Sequence, residues 1–465
     1  MYITYNILFL LIFLIDFFLL MDIMYIINHF VVYNIVYSHV FLKEVIMTGR
    51  EKLTETLAHR DCGRIAFDLG ATKATGISAS LLYRLRKLYG RDEPVKVYDT
   101  FQMLGLVDEK DAEMFGIDVL GIWSDMTVFG YRNDEWKPWT LPDGTPGLIG
   151  RNCCITESSR KLYMHPQGDP DAAPSGCLPL DGGHYFDYIT RQEDFDEDDL
   201  NGLEDYREQL EVMTIDDATL DFYRRQADHY YNNSGCGIVL NAEYANFGAT
   251  SMISGGYVKR TPGIRDFSEF LVAHSLNPEY IEEIFGAWAD LCIRNLELLS
   301  QAVGAKAQAV FLSGTDFGAQ HSEIMSKNMF RELYVPFYSR VNGWVHEHTS
   351  WKTVFHSCGC LVNIMDDLIE SGLDCLNPIQ ISADHMDPQA LKDRYGEKLT
   401  FWGGAVDGQT TMASGTPDDV ERQLRQNIDI LRKDGGFVCS VVHNLQSNYA
   451  EDNVTRIFNV LKDYR

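Results

Sequence analysis

"TVFHSCG", at residues 353–359, is a short apolar run rich in β-formers that stops on a histidine, a serine and a cysteine. Seven other stretches have the same build: "RIAFDLG" (64–70), "DVLGIWSD" (118–125), "GIVLNAE" (237–243), "AVFLSGTD" (309–316), "DCLNPIQ" (374–380), "LTFWGGAVD" (399–407) and "FVCSVVHN" (437–444). Between them run amphipathic segments such as "SASLLYRLRKLYG", "NPEYIEEIFGAWADLCIRNLELLSQAVG" and "TPDDVERQLRQNIDILRKDGG". The last has a Thr N-cap, a Pro at the first helical position and Gly at its C-terminus. Short strands alternating with helices predict βα units and a parallel sheet. Eight of them predict an α/β fold, a (β/α)8 TIM barrel, whose active site gathers at the C-terminal ends of the strands.

Polar residues stand at those ends repeatedly: Asp68, Asp125, Glu243, Asp316, His356 with Cys358, Gln380, Asp407 and His443. A random scatter along the strands would not show this bias, and it marks the chain as an enzyme. We expect Asp125, Glu243 and Asp316 to act in catalysis, and Asp68, Gln380 and Asp407 to bind substrate. For Asp316, an Asp at a strand end that caps the following segment is an equally common arrangement.

Composition narrows the class. The 465 residues are 45% hydrophobic, enough for a large core, and the formal net charge of -27 leaves no basic face for nucleic-acid phosphates. The acidity peaks in "RQEDFDEDDLNGLEDYREQLE" (191–211), which reads as a solvated surface insertion. Ten scattered cysteines with no secretory context point to reduced thiols in a cytoplasmic enzyme. Residues 129–216 separate the second and third strands. Their Gly, Pro and Asp content predicts a long insertion carrying a small hairpin, "SGCLPLDGGHYFDY" (175–188), over the barrel mouth.

The first 46 residues stand apart. "ILFLLIFLIDFFLLM" (7–21) has the look of a span, yet Asp16 interrupts it and no basic residue precedes it. Residues 1–46 hold no Gly, Ala, Pro or Arg and are dominated by the residues of A/T-rich codons. We expect a translation start set too far upstream, with a genuine membrane anchor as the alternative, and a catalytic domain over 47–465.

His-x-Cys at a strand end puts both side chains on one face, since strand side chains alternate. A thiolate with an imidazole suits zinc, and catalytic zinc takes three protein ligands. For the third, "FVCSVVHN" offers Cys439, mid-strand, and His443, at the catalytic end and expected on the same face. Geometry favours His443, with Cys439 as the alternative.

In its motifs the chain resembles the uroporphyrinogen decarboxylase superfamily, closest to the corrinoid-linked methyltransferase branch of the methylcobalamin:coenzyme M type. The stretches that carry the resemblance are "RIAFDLGATKATGI", "PVKVYDTFQML", "FGIDVLGIWSD", "GTDFGAQ", "VFHSCG", "LNPIQ", "MDPQALKDRYGEKLTFWGGAVD" and "GGFVCSVVHNLQ" with "EDNV", in order over residues 47–465. The resemblance implies zinc held by His356, Cys358 and a later cysteine, whose place looks to be taken here by His443. It also implies methyl transfer between a small molecule and a corrinoid, which a separate corrinoid protein would bring, since this chain has no Asp-x-His-x-x-Gly signature.

Two alternatives remain: porphyrin-pathway decarboxylation, and a non-catalytic corrinoid- or porphyrinoid-binding barrel. Decarboxylation draws support from Asp125 and His443, which resemble polar residues of the decarboxylases. Against it, the arginine-rich loop those enzymes carry after the first strand is replaced by "DLGATKATG", and an octacarboxylate needs cationic donors.

Overall fold

The computed structural model describes residues 47–193, 203–211 and 213–464. The expected N-terminal extension (1–46) and residues 194–202 of the acidic run lie outside them. Residues Thr48–Arg465 form one compact unit that carries the whole barrel. No helix among the described residues is long and apolar enough to cross a membrane.

All eight expected strands form: β1 (Ala66–Phe67), β2 (Val119–Ile122), β3 (Gly237–Asn241), β4 (Ala309–Ser313), β5 (Lys352–His356), β6 (Cys375–Asn377), β7 (Thr400–Trp402) and β8 (Phe437–Cys439). From β2 to β8 each pairs in parallel with the next, and β8 returns to β1 through Ala66 opposite Val438. A parallel bridge from Asp68 to Val119 joins β1 to β2 and closes the ring. The fold is a TIM barrel.

Alternation along these short strands sorts their side chains. Ala66, Val119, Val239, Ala309, Phe311, Val354, Cys375, Trp402 and Val438 form one cluster that fills the barrel. Their sequence neighbours Phe67, Leu120, Leu240, Val310, Phe355, Leu376, Phe401 and Cys439 belong to a larger core with the helices. Leu53 and Leu57 join the inner cluster from the helix Gly49–Leu57, which closes the floor. A capping box starts that helix, with Thr48 and Glu51 satisfying each other's amides. Lys52 then reaches Asp118, just before β2, in a buried 2.9 Å ion pair. The expected helices form at Ala79–Leu88, Pro278–Val303 and Pro417–Leu431, the last with a capping box at Thr416 and Pro at its start.

The insertion is larger than the single hairpin expected. Gly176–Pro179 and Asp187–Tyr188 do pair antiparallel, but as half of a four-stranded sheet with Ile155–Ser158 and Lys161–Met164. A second four-stranded sheet joins Val95–Asp99 and Leu104–Gly105 to Trp136–Thr140 and Pro146–Gly150. These strands hide in the sequence because they are short and mix Gly, Pro and Lys with their buried residues. "WKPWT" has no buried residue, and its Pro138 is tolerated because the strand lies at a sheet edge.

Candidate active site at the barrel mouth

β5 ends on His356, whose ring is buried and turned toward the mouth. Its Nδ1 lies 2.6 Å from Asn377 Oδ1. Asn377 spends its Nδ2 on the Trp402 carbonyl, so its oxygen faces the imidazole and accepts from Nδ1–H. That fixes the tautomer and leaves Nε2 free as a ligand, 3.3 Å from Cys358 Sγ.

The turn that carries Cys358 is held on three sides. Asp316 Oδ1 accepts from the Cys358 amide at 2.7 Å, Gln380 Oε1 accepts from the Gly359 amide at 2.8 Å, and Ser357 Oγ accepts from the Phe317 amide at 2.9 Å. Gly359 sits at φ 86°, and a Cβ there would lie 2.4 Å from the Gly318 carbonyl carbon. The loops after β4 and β5 therefore touch backbone to backbone, which only a glycine pair allows. Ser357 turns away from the site, its hydroxyl taken up by the Phe317 amide.

His443 completes the group. One ligand atom each from His356, Cys358 and His443 lie within 4.8 Å of one another. Donors around a tetrahedral zinc stand about 3.5 Å apart, so small movements close this set on an ion. The two rings meet edge to face with centroids 5.3 Å apart.

Burial, helped by the neighbouring His356, lowers the His443 pKa to about 4 and keeps its lone pair available. Burial, then the Asp316 charge, pushes the Cys358 thiol well up, a bias that a bound cation reverses. Both side chains remain partly accessible, so the group is not sealed in the core.

Cys439 does not join the group among the described residues. β8 ends at Cys439, and the thiol packs into the outer core, 1% exposed. The expectation that His443 shares its face through strand parity fails, because residues 440–443 are not strand. His443 reaches the mouth by a loop.

The remaining expected residues divide. Glu243 lines a cavity of about 370 Å³ beside the ends of β1 to β3. It pairs at 3.2 Å with Lys73, which also lies 3.4 Å from Asp99. Asp125 is 3% exposed, with Oδ1 accepting from Thr219 and Oδ2 paired to Arg132. Asp316 and Gln380 hold the Cys358 turn.

Asp68 is fully buried, accepting from the Ala71 amide and from Trp402 Nε1, and burial raises its pKa to about 6. Asp407 accepts from the Thr410 amide at 2.8 Å and from its hydroxyl, a turn cap. Neither Asp68 nor Asp407 lines the cavity. Lys73, Asp99 and Asn377 were not singled out from the sequence. Lys73 had a signal, being the lone cation in the loop after β1.

A closed barrel with a His/Cys/His group at the strand ends has the build of a barrel enzyme's active face. Residues 248–464 match the family model of uroporphyrinogen decarboxylase (URO-D), a region that carries β4 to β8 and the His356, Cys358 and His443 group. The motifs quoted above led to the same superfamily. No curated protein matches the chain.

Among solved structures, a methyltransferase from Methanosarcina mazei aligns over 90% of this chain and 99% of its own, with a TM-score of 0.50 and 13% identity. That likeness concerns the fold. Two structures of morphinone reductase, one of them a point mutant and both in complex with tetrahydroNAD, cover 67% of this chain and 81% of theirs. Their TM-score of 0.18 at 10% identity carries no argument.

Proposed function

We propose that the protein is a zinc-dependent methyltransferase that moves a methyl group between a small molecule and a corrinoid carried by a separate protein. The observation that supports this most is the convergence of His356, Cys358 and His443, a donor set that suits zinc. The fold shared with the M. mazei methyltransferase agrees with it. Bound there, zinc supplies a Lewis acid that lowers the pKa of a thiol or polarises an oxygen of the small molecule.

The chain's own residues do the rest. Asn377 orients His356, Asp316 and Gln380 fix the Cys358 turn, and burial keeps His443 neutral. Glu243 with Lys73 forms the polar end of the neighbouring cavity.

The second reading, uroporphyrinogen decarboxylation, draws on the URO-D match and on Asp125. It asks Asp125 to face a pyrrole cation, yet both of its oxygens are engaged by Thr219 and Arg132. Purified protein should carry about one zinc per chain by elemental analysis and transfer methyl groups to or from a supplied corrinoid protein. Asp125→Asn should leave that transfer within a few-fold. Metal-free protein that is fully active, or decarboxylation of uroporphyrinogen abolished by Asp125→Asn, would replace this reading with the second.

A further inference from the structure

We infer that the cavity beside β1 to β3 takes the positively charged head of a small organic cation, a protonated amine or a quaternary ammonium. The assignment rests on reading the mouth as a small-molecule methyl-transfer site and names the class of that molecule.

At about 370 Å³ the cavity has the size of a small ligand. Its charges are unbalanced in one direction. Lys73 stands between Asp99 and Glu243, one cation against two carboxylates. Arg132, also on the lining, is shared by Asp125 and Asp216, again one against two. Both cations that line the cavity are thus already held; the lining itself sets three carboxylates, Asp99, Asp216 and Glu243, against them, and the buried Asp125 behind Arg132 adds to the excess.

Acidity alone would describe a wet surface, and two further features separate this cavity from one. Tyr98 and Trp123 line it with ring centroids 4.5 Å apart, and the electron-rich faces of such rings attract a cation. Asn241, also on the lining and 4% exposed, gives its Nδ2 to the carbonyls of Ala71 and Ile122 while its Oδ1 has no donor. The lining therefore offers aromatic rings and an excess of carboxylates, with an unpaired carbonyl oxygen just beneath the surface, all of which attract a cation. A carboxylate ligand would find repulsion and no free cation on the lining.

The test is calorimetric titration of the full-length protein with choline and with 3,3-dimethylbutan-1-ol, which has the same shape without the charge. Choline should bind at least tenfold more tightly, and Glu243→Gln and Trp123→Leu should each weaken it at least fivefold. Equal affinity for the two probes, or tighter binding of glutarate than of choline, overturns the assignment. Should a variant fail to melt cooperatively, the wild-type ratio of the two probes decides alone.

Zinc content and corrinoid methylation are measured on the same preparations. No preference for choline with zinc and transfer intact removes the cavity assignment only. A tenfold preference in a protein without zinc or transfer upholds the cavity and removes the methyltransferase reading.

Discussion

The two halves of the barrel do different work. From β4 to β8 the βα units are short and supply the whole His/Cys/His group with the residues that brace it. From β1 to β3 the chain detours through two four-stranded sheets, one antiparallel and one mixed, and supplies the cavity with its paired charges and aromatic walls. On the proposed function, chemistry that needs fixed distances falls to the regular half, on strand ends locked by neighbouring strands. On the same proposal, recognition falls to the interrupted half, where inserted segments can vary a wall without disturbing the ring.

The sharpest way to break that division is to remove a ligand. His356→Ala or Cys358→Ser should strip nearly all zinc and lower methyl transfer at least 100-fold, since zinc binding in small sites is worth about 10 kcal/mol or more. His443→Ala should do the same. Cys439→Ala removes one sulfur from the outer core and should cost about 1 kcal/mol of stability with zinc content unchanged. Zinc loss in Cys439→Ala, with His443→Ala still loaded, would move the third ligand back into the strand.

This outcome also bears on what the sequence made legible. The eight strands could be read because each buries both faces and so appears as an apolar run with a polar stop. His356 and Cys358 could be read because the first ends β5 and the second stands two residues beyond it. His443 was named for the wrong geometric reason: parity holds only inside a strand, and β8 is three residues long. Asp68 and Asp407 looked like mouth residues because they stand at strand ends, but a strand-end carboxylate also caps its own loop, and both do so here. Lys73 and Glu243 meet from the ends of β1 and β3, but Asp99 joins them from Val95–Asp99, a strand outside the barrel whose place beside them depends on a pairing the sequence does not reveal.

A smaller effect tests how the two halves are sealed to each other. Asp68 sits inside the seam where β1 meets β2 and reaches Trp402 on β7. Burial raises its pKa from 3.8 to about 6, outweighing the hydrogen bonds from Ala71, Trp402 and Thr75 that favour the charge. The folded protein thus holds this proton more tightly than the unfolded chain. The contribution to stability is complete below about pH 4 and is lost as pH rises through about 6, roughly 3 kcal/mol in all. Asp68→Asn cannot ionise, so the difference in unfolding free energy between variant and wild type should shift in the variant's favour by about that amount between pH 4 and 6.5. Urea titrations at several pH values measure it. Parallel curves for the two proteins would mean that the Ala71 and Trp402 contacts hold Asp68 ionised throughout.

The smallest expected effect concerns Asn377, which sets the direction of a ligand without touching the ion. It lies at the end of β6, accepts from His356 Nδ1 on β5 and donates to the Trp402 carbonyl on β7. One side chain thereby ties three strands of the regular half together beneath the site. Asn377→Ala frees the imidazole to rotate and removes the acceptor that fixes its tautomer, and such outer partners are worth about 10–100-fold in metal affinity. Asn377→Asp keeps an acceptor for Nδ1–H but gives up the donor to Trp402. A role in positioning His356 predicts that Asp restores most of the zinc affinity lost in Ala. A purely structural role in joining β6 to β7 predicts that Ala and Asp fail alike. Competition for zinc against a chromogenic chelator, with thermal melts of both metal-free variants alongside, separates the two.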